Sequence, residues 1–151
     1  MNKFNQLNWL LNPKSDENTF LNNVYEKAVF FLERNDPNYY SKKLQETTLQ
    51  DLLGLAASLS VTINLIKAGQ VAPARFPLPI EELLKYLQEG YTIVIYGMEK
   101  YNTSIQNLCH SLSSTFLCPV KANMYITPPK SQGLTPHYDD HDVLILQLFG
   151  K

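Results

Sequence analysis

The chain has 151 residues and a mass of 17.3 kDa, enough for one ordinary domain and too little for two large ones. Apolar residues make up 44% and charged residues 18%, a globular composition that argues against wholesale disorder. The formal net charge is −1, with 13 Lys and Arg against 14 Asp and Glu, so no global field favours nucleic acid or an anionic membrane.

The N-terminal stretch has no continuous apolar core, so it does not read as a signal peptide, and no apolar run approaches a membrane span. Trp9 reads as a packing anchor. Residues 15–25 predict a short helix, with Phe20 and Val24 on one face and Ser15 or Asp16 as cap. Residues 28–33 form a short apolar run and predict a buried strand, and 35–37 a turn. A second helix is predicted over 48–59, capped by Thr48, with Leu52, Leu55 and Leu59 on its face. A strand over 61–66 follows. Pro73, Pro77 and Pro79 mark a loop, and Pro79 opens a helix over 80–89 with Glu81 and Glu82 at its positive end.

Residues 91–96 are all β-formers between Gly90 and Gly97 and predict a strand. Asn102 or Thr103 caps a helix running to Phe116, with Ile105, Leu108, Leu112 and Phe116 on one face. Strands are predicted over 120–126 and 142–149, separated by a turn-rich loop and an extended stretch at 136–140. Helices come early and strands crowd toward the end, which fits an α+β domain. An apolar strand so close to the last residue needs a partner, and the expectation is a piece of something longer.

Two cysteines, Cys109 and Cys118, form neither a disulfide framework nor a zinc-finger spacing and read as reduced cytosolic thiols. Cys109 and His110 adjoin on a helix and read as structural. The chemistry lies between Asn123 and Asp142. In an extended chain residues i and i+2 point the same way, so His137 and Asp139 converge on one point. That is two thirds of the 2-His-1-carboxylate arrangement that holds non-haem Fe(II). A polar turn with solvated carboxylates is the bland alternative. A local His137, Asp139 and His141 set is less favoured, because four steps of ~3.3 Å separate its ends too far for one ion.

The stretch 122–150 contains Asn123-x-Tyr125-x-Thr127-Pro128, then Ser131-Gln132-Gly133, then Pro136-His137-Tyr138-Asp139, then an apolar run ending Gln147-Leu148-x-Gly150. In this it resembles the cupin-type JmjC ribosomal oxygenases, which are protein hydroxylases dependent on Fe(II) and 2-oxoglutarate. The N-terminal part is also similar, through Phe20, Tyr25-Glu26-Lys27, Asp36-Pro37 and Tyr39-Tyr40. The likeness is closest over 122–150, looser over 10–55 and least between. The His141-Asp142 pair looks more like bacterial members than nuclear eukaryotic ones.

The resemblance implies the N-terminal portion of a cupin, or double-stranded β-helix, barrel: residues 1–90 as a helical and strand lead-in and 91–151 as the first barrel strands. It makes His137 and Asp139 the first two iron ligands. It places Asn123 and Tyr125, with Thr127 as a third candidate, in the 2-oxoglutarate pocket, and Gly133 at a turn needing positive φ. It implies Fe(II) and 2-oxoglutarate as cofactor and co-substrate and a protein substrate of the ribosomal-protein type. Neither nucleic acid nor membrane is an implied partner, and the full-length form is expected as a homodimer. The location is cytoplasmic, or nuclear if the source is eukaryotic. Two departures matter. The family's basic residue after the Gln-Leu-x-Gly strand falls one position beyond Lys151, and no His follows His141 to supply the third iron ligand. A non-catalytic cupin remnant or protein-interaction module therefore competes with the enzyme reading, as does a small-molecule oxygenase of the same superfamily.

Overall fold

A computed structural model describes residues 6–36, 38–44, 48–58 and 61–150. Helix α1 (Gln6–Leu11) buries Leu7, Trp9, Leu10 and Leu11, so the expected Trp9 anchor sits on a helix that was not itself predicted. Helix α2 (Glu17–Asn23) is capped by Asp16, whose carboxylate accepts from the Thr19 amide. The two hydrogen bonds that Thr19 donates hold the exposed Asp16 carboxyl below its usual range.

Residues 28–33 are not a strand. Val29 and Phe31 project into solvent while Phe30 packs edge-on against Phe20 at 5.4 Å. Apolar β-formers make a strand only when a neighbouring backbone completes the ladder, and the sheet of this chain does not run beside them. The turn that follows is held by Asp36 Oδ1 accepting from the Asn38 amide at 3.0 Å; Pro37 lies outside the described residues. Helix α3 (Tyr39–Lys43), also unpredicted, comes next.

Arg34 joins these parts. Its guanidinium donates to the carbonyls of Leu10 at 2.7 Å and of Asn12, and to the Tyr40 hydroxyl at 3.1 Å, and lies 3.8 Å above the Tyr39 ring. It thus supplies donors to carbonyls left open at the end of α1 and places a cation at that helix's negative end. Arg34→Ala is expected to lower stability by about 2 kcal/mol, read as a shift of the urea midpoint. Arg34→Lys should recover little of it, because an ammonium cannot supply the planar fork.

Helix α4 (Leu49–Ala56) opens with a reciprocal cap: Thr48 Oγ1 accepts from the Asp51 amide and Asp51 accepts from the Thr48 amide. It buries Leu52 and half-buries Leu55; Leu59 of the predicted face is outside the described residues. Strand β1 (Ile63–Lys67) turns through Ala68 and Gly69, both at positive φ, into the two-residue strand β2 (Gln70–Val71). A two-residue turn with φ positive at both positions matches the twist of paired strands. Helix α5 (Ile80–Gln88) starts after Pro79, and strand β3 (Thr92–Ile95) is buried throughout. A 3-10 turn (Met98–Lys100) leads to α6 (Thr103–Phe116), whose cap Asn102 accepts from the Ile105 amide. Strand β4 (Met124–Ile126) is shorter than the predicted 120–126.

The predicted strand at 142–149 is absent. The run joins no strand of the sheet, and Val143, Leu144, Ile145 and Phe149 are exposed, for the reason that applies to 28–33. The predicted α+β class holds: six helices and one antiparallel sheet of order β2-β1-β3-β4 among the described residues. The sheet draws β1 and β2 from before residue 90 and β3 and β4 from after it. No helix among the described residues is long and apolar enough to cross a membrane.

The two sheet faces differ. Ile63 and Leu65 of β1 and Ile93 and Ile95 of β3 belong to the main core, and Met124 and Ile126 of β4 pack against it. By strand alternation the opposite face carries Asn64, Ile66, Thr92, Val94, Tyr96, Asn123, Tyr125 and Thr127.

Candidate metal and co-substrate site

The second sheet face is where the sequence-predicted residues meet. Asn123, Tyr125 and Thr127 alternate along β4 and its flanks with Met124 and Ile126, so all three share this face, as their spacing predicts. Asn123 Oδ1 accepts from the Gly97 amide at 3.3 Å. Thr127 Oγ1 lies 3.0 Å from Thr92 Oγ1, one hydroxyl donating to the other. Burial holds the Tyr125 phenol above its ordinary range. The neighbouring Tyr96 and Asp139 add to the rise, and a hydrogen bond with the Asn123 side chain opposes it. A phenol kept protonated is a neutral donor suited to a carboxylate.

The loop after β4 lies across this face and is fastened to the β1–β2 turn. Ala68 N donates to Gln132 O at 2.8 Å and Gly69 N donates to Gly133 O at 2.7 Å. Gly133 is not at positive φ, which corrects the expected reason for a glycine here. Close approach explains it instead. A Cβ built on Gly133 would lie 2.8 Å from Thr92 Cβ and nearer still to Thr92 Oγ1. Only a residue without Cβ lets the loop pass so near β3.

The fastened loop delivers His137 and Asp139. His137 Nδ1 is 2.8 Å from the Thr135 carbonyl oxygen. A carbonyl only accepts, so Nδ1 carries a hydrogen, and in the neutral imidazole Nε2 then keeps its lone pair. Nε2 lies 3.7 Å from Asp139 Oδ2, with both side chains about half exposed. A metal-ligating imidazole needs that tautomer, held through its other nitrogen. The donor set therefore fits two facial ligands of a divalent iron. His141 instead pairs with Asp140 at 3.2 Å, which lowers the Asp140 carboxyl below its usual range, and no cluster of three candidate ligands occurs among the described residues. The local three-ligand alternative is not formed. Lys151, one position short of the family's basic residue, lies outside the described residues.

Sequence reasoning missed two polar side chains on this face, Asn64 and Tyr96, which were read only as strand residues. Asn64 Nδ2 donates to the Tyr96 hydroxyl at 3.0 Å. An amide inside the apolar run Ile63 to Ile66 was the available signal.

Residues 97–151 match the JmjC domain family. The chain carries a JmjC-like stretch. It is 33% identical over 151 residues to the "bifunctional lysine-specific demethylase and histidyl-hydroxylase NO66" of Drosophila yakuba, covering 96% of this chain and 22% of that protein. Proteins of the same name from Drosophila mojavensis and Culex quinquefasciatus are 32% and 28% identical, over 96% and 97% of this chain and 17% and 23% of their own length. The chain thus spans about a fifth of the curated relatives it matches. The JmjC stretch contains β4, the fastened loop and both predicted metal ligands, and it begins just after Tyr96.

Proposed function

We propose that the chain is part of an Fe(II)- and 2-oxoglutarate-dependent oxygenase that acts on a protein. The observation that carries this reading is the His137–Asp139 pair, with Nε2 left free beside a carboxylate by the Nδ1 bond to Thr135. His137 Nε2 and Asp139 would hold the iron, and Asn123, Tyr125 and Thr127 would offer neutral donors to the co-substrate's carboxylates. Iron with 2-oxoglutarate would supply oxidation of unactivated C–H bonds by dioxygen, with succinate and carbon dioxide as the co-products. This chain's own groups fix ligand geometry, orient the acid and keep the imidazole in one tautomer.

On this reading the four-stranded sheet is the start of a cupin barrel. Residues 1–90 are the lead-in, with β1 and β2 already joined to the sheet, and 91–151 contribute the first barrel strands. The relatives' name speaks of lysine demethylation and histidyl hydroxylation, which supports a protein side chain as substrate here; the ribosomal-protein type rests on the sequence resemblance. Their insect sources are compatible with the nuclear location expected of a eukaryotic protein.

The test is a calorimetric titration of the chain with Mn(II), a redox-silent stand-in for Fe(II), followed by 2-oxoglutarate. One equivalent of metal, and 2-oxoglutarate binding only after it, is the expected result. A chain indifferent to both would overturn the reading. The competing reading, a non-catalytic interaction module, draws on the exposed apolar side chains Val29, Phe31 and Ile145, and predicts that indifference.

A further inference from the structure

The β1–β2 turn lies upstream of the JmjC match, yet it reaches the metal ligands in two steps. In the loop that leads to His137 every carbonyl from Gln132 to Thr135 has a donor. Ala68 N serves Gln132 O at 2.8 Å and Gly69 N serves Gly133 O at 2.7 Å. The Gln132 side-chain amide donates to Leu134 O at 3.3 Å, and His137 Nδ1 to Thr135 O at 2.8 Å. The last bond selects the tautomer of the neutral imidazole, so whatever orients the Thr135 carbonyl also orients the ligand. Thr135 is exposed, so core packing does not hold it. Pro136 keeps its backbone out of the helical region, which limits the direction of its carbonyl. Its side chain rests on the turn. A Cβ built on Gly69 would lie 2.9 Å from Thr135 Cγ2 and 3.1 Å from Oγ1, but 3.6 Å from Thr135 Cβ. Both branches of Thr135 face the turn, so rotation about χ1 still leaves one of them there.

We propose that Gly69 is a positioning residue for His137: lacking a Cβ, it lets Thr135 seat against the β1–β2 turn with its carbonyl aimed at His137 Nδ1. The inference rests on the oxygenase reading above and adds to it a turn that the JmjC stretch does not contain. Gly69→Ala pushes Thr135 off the turn, swings its carbonyl away and releases the imidazole to exchange tautomers. Thr135→Ala removes both offending branches, and the 3.6 Å contact that remains is an ordinary one, so it relieves Gly69→Ala. Gly69 also sits at φ 79°, where alanine is strained whatever occupies position 135. The double variant therefore separates the two effects, because the strain persists in it and the contact does not.

The experiment titrates Mn(II) into the full chain as wild type, Gly69→Ala, Thr135→Ala and the double variant, with a thermal melt of each. The 15N spectrum of the His137 ring in the metal-free chain, taken where the imidazole is neutral, reads the tautomer directly. Gly69→Ala is expected to weaken Mn(II) binding about tenfold or more and to show mixed tautomers where the wild type shows one. Thr135→Ala should bind within about twofold of the wild type, as an exposed substitution does. The double variant should recover the affinity and the single tautomer of Thr135→Ala while its thermal midpoint stays as low as that of Gly69→Ala. If Gly69→Ala binds Mn(II) as the wild type does, or the double variant stays as weak as Gly69→Ala, the contact is structural and this inference falls while the oxygenase reading stands. If the wild type itself takes up no Mn(II), the oxygenase reading falls and this inference with it.

Discussion

His137→Ala is expected to reduce divalent-metal affinity more than about 100-fold without loosening the fold. Removing a group that merely orients a metal ligand already lowers affinity 10–100-fold, so removing the ligand itself should exceed that. The fold should not notice. His137 stands about half exposed at the end of a loop, and substitutions at such places stay within about 0.5 kcal/mol. Asp139→Asn keeps the shape and an acceptor oxygen but removes the charge that offsets the metal, and should show a smaller loss. His141→Ala is the control, because His141 is paired with Asp140. If His141→Ala weakens metal binding as much as His137→Ala does, the assignment of the two ligands is wrong. The measurement is the same Mn(II) titration, read with an unfolding curve for each variant.

The placement of the candidate side chains was more legible than the fold around them. His137 with Asp139, and Asn123 with Tyr125 and Thr127, are each spaced by two in extended chain. Alternation is a local property, so the sequence alone placed each set on one side. The helices capped by Asp16, Thr48 and Asn102 were legible for the same reason, since a cap acts within three residues. The two predicted strands at 28–33 and 142–149 failed because a strand is not local. Their composition is right, but a ladder needs a neighbour that composition does not name. The link between β4 and the remote hairpin turn was equally hidden. Nothing in the sequence announces that Ala68 and Gly69 fasten Gln132 and Gly133, or that Asn64 reaches Tyr96 across 32 positions. The glycine of Ser131-Gln132-Gly133 was correctly singled out for the wrong cause, because a glycine that admits close passage and one that admits positive φ look alike in sequence.

That distinction gives the second large effect. Gly133→Ala should destabilise the chain by about 2–3 kcal/mol, in the range of overpacked interiors, and abolish metal binding together with it. The new methyl meets Thr92, which is 2% exposed in the middle of the sheet. Thr92 cannot swing aside. It is β-branched and stiff at χ1, and its hydroxyl is engaged with Thr127. The loop must lift instead, against the hydrogen bonds from Ala68 and Gly69 that hold its backbone down. His137 and Asp139 follow four and six residues later, so lifting the loop moves both ligands. Thr92→Ala should rescue little, because the 2.8 Å clash with the Cβ remains after Oγ1 and Cγ2 are gone. Gly54→Ala is the opposite case. It lies within α4, where a built Cβ meets nothing within 4 Å, and the same methyl should stabilise by about 0.5–1 kcal/mol through helix propensity. Urea unfolding of both variants, with metal titration of each, reads the contrast. A Gly133→Ala chain that unfolds with Gly54→Ala and still binds metal would mean that the loop does not pass against β3 as described.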